Sequence, residues 1–580
     1  MLKIASRNQT RLEKEQSLIP RKDQAQLQVV LCYPNRYSVG MANLGFQRVW
    51  ELFNQQDGIY CDRAFYPDPG DEEEYFQKEI PISSLETKKP ISEFEVIAFS
   101  FSFEMDYLRA LKMLRLSRIP LRSSERRKGS GKKSPGPLII AGGICISANP
   151  EPMSDFFELI AIGDAEPIVA SLSKALIELG PHPGLAQIQE RFAEFPNIYV
   201  PSTYLVEYDD TGKIIGIEER GKRKEERKIV RANASEKDLP AHQVIFTEEM
   251  EFSDLGLLEL MRGCPRGCRF CLEGYFARPP RQAGYQAVLK AIEKIRACRN
   301  KLGLIAPVVS DWTGLPALLE FLSRERIPFS VSSLRISAVS ERMIEMLKAG
   351  KNQTLTFAPE TGSQRLRRFL NKDPDEEKIF RVMRMVGSYQ FPRIKLYYQI
   401  GFPAETELEV EEIAVSARRI QTSLAIGAGK KRYPGVIEIS VNPFVPKPWT
   451  AFQWLEMAKQ DDLVKKIARL RQSLKPRDGF ELKTDSVREA IFQGIISRGD
   501  RRLGEILEKM ILDQIRIAEV LKSEKIVNHY LREREPDEIF PWDLIDPGVT
   551  KEYLWKEYQR ARAGKASPGC RPECRDCGAC

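Results

Sequence analysis

Short apolar runs alternate with polar loops and helical stretches through the first 185 residues. The runs "LQVVLCY" (27–33), "FEVIAFSFS" (94–102), "GPLIIAGGI" (136–144) and "FELIAIGDAE" (157–166) have the length and apolar character of buried strands. Alternation of this kind predicts a parallel, doubly wound sheet. Gly-rich turns, "AGG" and "IGDAE", end two of the runs, where backbone amides can approach a ligand. After "PHPGL" (181–185) the pattern shifts to hairpin-like segments such as "YLVEYDDTGKIIGIEE", a β-rich connector over 186–250. Between 251 and 460 there are six further runs: "LLELMRG", "LIAPVVSDW", "PFSVSSLRI", "TLTFAPETG", "RIKLYYQIGFP" and "VIEISVNPFV", separated by amphipathic helical spacing. Six β/α repeats over about 200 residues predict a partial barrel with its chemistry at the C-terminal strand ends. Residues 461–567 are charged and helix-like, and 568–580 form a Cys-rich tail.

Composition narrows the class. A chain of 580 residues is too long for one core. Apolar content of 42% beside 29% charged residues fits a globular protein. The N-terminal stretch lacks a signal-peptide core, and no run nears the roughly 18 apolar residues of a membrane span. The expectation is a cytoplasmic protein with no membrane partner. Of the net charge of +8, the stretch "RSSERRKGSGKK" (122–133) supplies +5 through six basic residues against one acid, and it reads as a solvated insertion. A second run, "RGKRKEERK" (220–228), reads as a solvated hairpin or linker, with phosphate contact as the alternative.

Seven of the eleven cysteines fall in two tight clusters, which argues for metal ligation over a disulfide framework. Cys32, Cys61, Cys145 and Cys298 read as ordinary small apolar residues. The first cluster, "RGCPRGCRFC" (262–271), spaces Cys264, Cys268 and Cys271 as C-x3-C-x2-C, with Gly263 and Gly267 letting the loop fold tightly. Structural zinc takes four protein ligands, yet His182, His242 and His529 are all remote in sequence. Three thiolates suit an iron–sulfur cluster with one iron left open.

This spacing, with Phe270 just before the third Cys and a strand before the loop, resembles the radical S-adenosylmethionine (radical SAM) superfamily. The likeness continues through "SSLR", "FAPETGS", "IKLYYQIGFP" and "NPFVPKP" within 255–455. What precedes it resembles the cobalamin-binding-like Rossmann domain often fused to such barrels. With "PWDLIDPGV" and the Cys tail, the whole resembles an uncharacterised radical SAM family. The fold class implied is α/β: a Rossmann-like doubly wound domain over 1–185, the connector, a partial (β/α)6 barrel over 251–460, a helical region and the metal-binding tail.

The resemblance implies an enzyme in which Cys264, Cys268 and Cys271 hold a 4Fe-4S cluster and SAM chelates the fourth iron. An electron from a donor such as a flavodoxin or ferredoxin then cleaves SAM to methionine and a 5′-deoxyadenosyl radical, which abstracts hydrogen from the substrate. Strand parity proposes further contacts. Thr354, Thr356, Ala358 and Glu360 share a face, and the resemblance puts a SAM-contacting carboxylate at Glu360; helix capping or an ion pair with Arg365 or Arg367 is the alternative. Lys395, Tyr397 and Gln399 share another face, as do Ser440 and Asn442. Ser310 and Asp311 end the second run, where related enzymes bind the SAM amine, although "VVSDWTGLP" departs from the common Gly-Gly-Glu form. Gly401 opens "GFPAET", similar to the adenine-side loop that contacts SAM through its backbone.

Two questions stay open in the sequence. Base-off cobalamin domains present a His from an Asp-x-His-x-x-Gly loop, whereas this chain has "YPNRYSVGMANLG" there, with "SFS" (100–102) and Gly142-Gly143 further on. Either a corrin binds without a protein imidazole or the domain serves as a partner surface. The tail places Cys570, Cys574, Cys577 and Cys580 as C-x3-C-x2-C-x2-C, suited to a second 4Fe-4S cluster or to zinc. The basic segments and the tail favour RNA or a translation-linked macromolecule as substrate. A cobalamin-dependent radical SAM methyltransferase is one alternative, and a non-catalytic, metal-stabilised RNA-binding module is the other.

Overall fold

The run 27–33 becomes the hub of a six-stranded sheet because its aliphatic residues bury both faces. In the computed structural model, which describes residues 2–20, 22, 25–127, 136–219, 228–372, 375–571 and 573–580, every residue of Leu27–Tyr33 (β1) except Gln28 is buried. It pairs in parallel with Ile59–Phe65 (β2) and Val96–Ser100 (β3). Leu138–Gly142 (β4) and Leu159–Ala161 (β5) extend the sheet in parallel, and Ile198–Tyr199 (β6) closes the edge antiparallel. The order β2-β1-β3-β4-β5-β6 is doubly wound, with its switch point between β1 and β3. Tyr204–Tyr208 (β7) and Ile214–Glu219 (β8) form the hairpin expected of the connector.

Contacts divide the chain into two units that are discontinuous in sequence. The first comprises Met1–Asp254, Ile496–Lys522 and Asp537–Asp546; the second comprises Leu255–Ile495, Ser523–Pro536 and Pro547–Cys580. The charged, helix-like stretch after 460 is therefore shared between them. Within the first unit, Asn149 Nδ2 donates to the carbonyls of Ser497 and Gly499, and Arg501 pairs with Glu151. Hydrogen bonds of this long range have no local signature in the sequence.

The basic stretch at 122–133 is corrected in part. Arg126 and Arg127 are buried and both pair with Glu158, while Arg122 pairs with Asp155 and Glu508. These arginines satisfy carboxylates instead of facing water, because each has a partner folded onto it. Residues 128–133 of that run and 220–227 of the second basic run lie outside the described residues.

In the second unit the six anticipated runs all form strands: Leu255–Glu259 (β9), Lys301–Ile305 (β10), Phe329–Val331 (β11), Thr354–Glu360 (β12), Arg393–Ile400 (β13) and Val436–Pro443 (β14). A seventh, Phe480–Thr484 (β15), arises in the region read as helical. They pair in parallel as β9-β10-β11 and β12-β13-β14-β15, linked by one parallel bridge from Leu334 to Phe357. The β/α repeat is thus present, with no closed barrel among the described residues. β10 is shorter than its run: it stops at Ile305 ahead of Pro307, which has no N–H to donate. Ser310 and Asp311 consequently sit in the 3-10 turn Val309–Asp311, beyond the strand. Among the described residues no helix is long and apolar enough to cross a membrane.

Candidate functional site

The first cysteine cluster occupies the loop that leaves β9. Met261–Arg262 pairs antiparallel with Arg281–Gln282, so the loop is clasped at its base. Gly263 sits at φ +76, and a Cβ there would lie 2.3 Å from the Ala277 carbonyl oxygen, so a side chain would break the clasp. Its N–H donates to Glu273 Oε1 at 2.9 Å, and the Cys271 N–H donates to the Cys268 carbonyl at 3.0 Å. Arg269, fully buried, donates to the carbonyls of Arg368 and Phe369 and so fixes the back of the loop.

Cys264, Cys268, Phe270, Cys271 and Glu360 all line one cavity of about 430 Å³, a volume suited to a small-molecule cofactor. Burial pushes the Cys264 thiol up to about 12, against the Arg266 N–H that donates to its sulfur at 3.4 Å. Burial likewise pushes Cys271 up to about 12, reinforced by the charges of Cys268 and Cys264. Thiols this reluctant to ionise alone give up their protons to a bound cation. Among the described residues no group of three or more His, Cys, Asp or Glu is already arranged to hold a metal ion. The fit therefore rests on the donor set and its cavity: three soft thiol donors on one clasped loop, all lining one cavity.

Glu360 ends β12 in the left-handed region, φ +67, where the register with β13 shifts between Phe357 and Glu360. A non-glycine residue held there costs about 1–3 kcal/mol and marks a place where the surroundings dictate the backbone. Its two oxygens accept from Lys372 Nζ and Gln399 Nε2, each at 3.0 Å. Neither Arg365 nor Arg367 is its partner. Arg365 pairs with Glu409, and Arg367 donates to the carbonyls of Thr361 and Gly362. Lys372, which the sequence reading did not single out, also lines the cavity. Burial works against its charge, yet Glu360, Cys268 and Cys271 together hold its pKa above the ordinary lysine value.

Ser310, Asp311, Lys395 and Gly401 do not line this cavity. Ser310 Oγ is buried without a hydrogen-bond partner. Asp311 accepts from Arg266 Nε at 2.7 Å and from Arg335 Nη2 at 3.0 Å, and it is these arginines that face the cavity. Lys395 pairs with Glu438 and lies over the Tyr397 ring. Of the face it shares on β13, Gln399 is the member that reaches the site. Gly401 takes φ +88, and its N–H donates to Glu405. The Cys-rich tail approaches the first loop, with Ala566, Ser567 and Gly569 lining the cavity.

Family models match two stretches of the chain. The model for the N-terminal part of radical SAM proteins matches residues 45–201, and that for the radical SAM superfamily matches residues 258–417. The chain belongs to the radical SAM superfamily. It is accordingly an enzyme, and its cofactors are a 4Fe-4S cluster and SAM. An uncharacterized protein of Methanocaldococcus jannaschii is 28% identical over 505 residues, covering 87% of this chain and 95% of the relative. An uncharacterized methyltransferase of Pyrococcus horikoshii is 24% identical over 214 residues, 35% of this chain and 46% of the relative. Among solved structures, the cobalamin-dependent SAM radical enzyme OxsB aligns with 92% of this chain and 79% of its own at 12% identity and TM-score 0.44. The radical SAM methyltransferase TsrM from Kitasatospora setae aligns with 71% of this chain and 72% of its own at 13% identity and TM-score 0.44.

Proposed function

We propose that Cys264, Cys268 and Cys271 hold the 4Fe-4S cluster and that SAM binds beside them against Glu360 and Lys372, for modification of an anionic macromolecule such as RNA. The observation that carries this reading is the meeting of three thiols and the Glu360–Lys372 pair in one cavity. Bound there, the cluster supplies the electron that cleaves SAM reductively. The protein's part is to hold and orient. Glu360 offers carboxylate oxygens to the SAM amine or ribose, and Lys372 fixes that carboxylate while facing Cys268 and Cys271. Arg266 and Arg335, themselves splayed by Asp311, place positive charge at the cavity and favour a phosphate-bearing substrate. The electron would come from a donor such as a flavodoxin or ferredoxin. Anaerobic reconstitution with dithionite and SAM, followed for 5′-deoxyadenosine, tests the cleavage. Mass spectrometry of RNA from cells with and without the protein tests the substrate. Absence of SAM cleavage refutes the first part, and an unchanged RNA profile refutes the second.

A second reading, methyl transfer through cobalamin, is favoured by the strand order, whose switch point between β1 and β3 is the usual ligand crevice of such sheets. The name of the Pyrococcus relative points the same way. The residues there fit a corrin poorly. The loop after β1 has no His, and it is already bonded to the loop after β3 through Asn35–Asp106 and Asn43–Ser102, each at 3.0 Å. Corrinoid absorbance in protein expressed with hydroxocobalamin would favour methyl transfer; its absence would leave the first reading.

A further inference from the structure

The tail after helix Lys551–Arg562 folds back along the first cysteine loop. Arg269 Nη2 donates to the Lys565 carbonyl at 2.6 Å and to Ser567 Oγ at 2.9 Å. Asn371 holds Ser567 from both sides: its Oδ1 accepts the Ser567 N–H at 2.9 Å, and its Nδ2 donates to the Ser567 carbonyl at 3.2 Å. The same Nδ2 donates to the Gly267 carbonyl at 2.9 Å, which ties tail and loop through one side chain. The Cys570 N–H then donates to the Pro265 carbonyl at 2.7 Å, within the Cys264–Cys268 interval. Beyond it the chain turns so that the Thr550 N–H donates to the Cys577 carbonyl at 2.9 Å.

This path fixes the backbone at Cys570 and Cys577 in a segment that has almost no apolar side chains to order it. Cys577 is buried, Cys570 and Cys574 are half-buried and Cys580 is exposed. Arg278 lies over the Tyr275 and Tyr553 rings. Arg278 also donates to the Cys577 side chain. Four cysteines spaced C-x3-C-x2-C-x2-C supply a complete soft donor set, and a short polar segment takes its ordering free energy from a bound metal.

We infer that Cys570, Cys574, Cys577 and Cys580 hold a second, four-thiolate metal centre, and that this centre fixes residues 566–569 as a wall of the SAM cavity. The wall function rests on the proposed placement of SAM. The metal site does not.

The test uses the full-length chain purified without oxygen, with iron, sulfide and zinc counted for wild type, the Cys574→Ser/Cys577→Ser variant and a Cys264→Ala/Cys268→Ala/Cys271→Ala variant. The tail variant should lose about four irons or about one zinc, the first count marking a 4Fe-4S cluster and the second zinc. The loop variant should lose a separate set of about four irons. SAM should bind the tail variant at least about tenfold more weakly, with an unchanged circular-dichroism spectrum. Equal metal content in the tail variant and wild type overturns the site. Metal loss with unchanged SAM affinity overturns the wall. Wild type holding only about four irons and no zinc overturns the site even if the tail variant fails to fold. Retention of all iron by the loop variant refutes the first cluster's placement and leaves the tail count standing.

Discussion

Replacing Glu360 by Gln keeps the side chain's shape and removes one charge, which makes it a direct test of the SAM site. Two donors, Lys372 Nζ and Gln399 Nε2, each sit 3.0 Å from a different carboxylate oxygen. A carboxamide has one acceptor oxygen, so its NH2 would be turned towards one of these donors. Gln399 can turn its own amide to accept from that NH2, but the charge that assists the Lys372 bond is lost. Because the Glu360–Lys372 bond is charge-assisted and the pair is mostly buried, its loss costs about 1.5–3 kcal/mol. If the carboxylate also receives SAM, the same loss appears as a roughly ten- to hundredfold weaker affinity. Glu360 is not a thiol ligand, so the iron count should be unchanged. The assay is anaerobic equilibrium binding of SAM to reconstituted wild type and Glu360→Gln, with iron measured on the same samples and thermal melts run alongside. A lower melting temperature with unchanged SAM affinity would refute the reasoning and assign the pair to holding the strand end alone.

How much of this site was legible in the sequence depended on whether the signal was local. The three cysteines were readable because they lie close along one loop, and Gly263 because the clasped turn leaves no room for a Cβ atom. Most strands were readable from continuous or alternating apolar sequence, but Ile59–Phe65 (β2) and Phe480–Thr484 (β15) were not anticipated. Glu360 was placed by strand parity, but its left-handed backbone follows from the bulge against β13, which has no sequence mark. Lys372 lies twelve positions after Glu360, past a short helix; only the fold of residues 361–371 returns it to the strand end. Asp311 sits off the strand because "LIAPVVSDW" is not one strand. Pro307 ends the pairing early, and the carboxylate pairs with two arginines. The sharing of the C-terminal segments between the two units was hidden for the same reason as Arg126 and Arg127 with Glu158: partners far apart in sequence leave no periodicity.

The remaining predictions concern the loop, the arginine pair and the turn that carries Glu360. Replacing Cys264, Cys268 and Cys271 by Ala should abolish 5′-deoxyadenosine formation while the circular-dichroism spectrum is kept; undiminished cleavage would refute the ligand set. Gly263→Ala should reduce iron loading and destabilise the chain by about 1–3 kcal/mol, since it forces a side chain into the left-handed region against the Ala277 carbonyl; normal iron content and melting would refute the clasp. Asp311→Ala should leave SAM affinity within about threefold of wild type, because Asp311 touches two arginines and not the cavity, and a large loss would restore it as a SAM contact. Glu409 provides the pH test. Burial opposes its charge, but Arg365, the Thr406 N–H and hydroxyl and the Ser363 hydroxyl outweigh burial and hold its carboxyl at about 2. A carboxyl depressed on folding contributes stability above its unfolded pKa, and that contribution is lost as pH falls from the ordinary carboxylate range towards 2. Through Ser363, Glu409 anchors the turn that follows Glu360, so in Glu409→Gln the melting temperature should be lower at neutral pH and fall less on acidification than in wild type. Parallel pH profiles for the two proteins would show that the anchor contributes nothing.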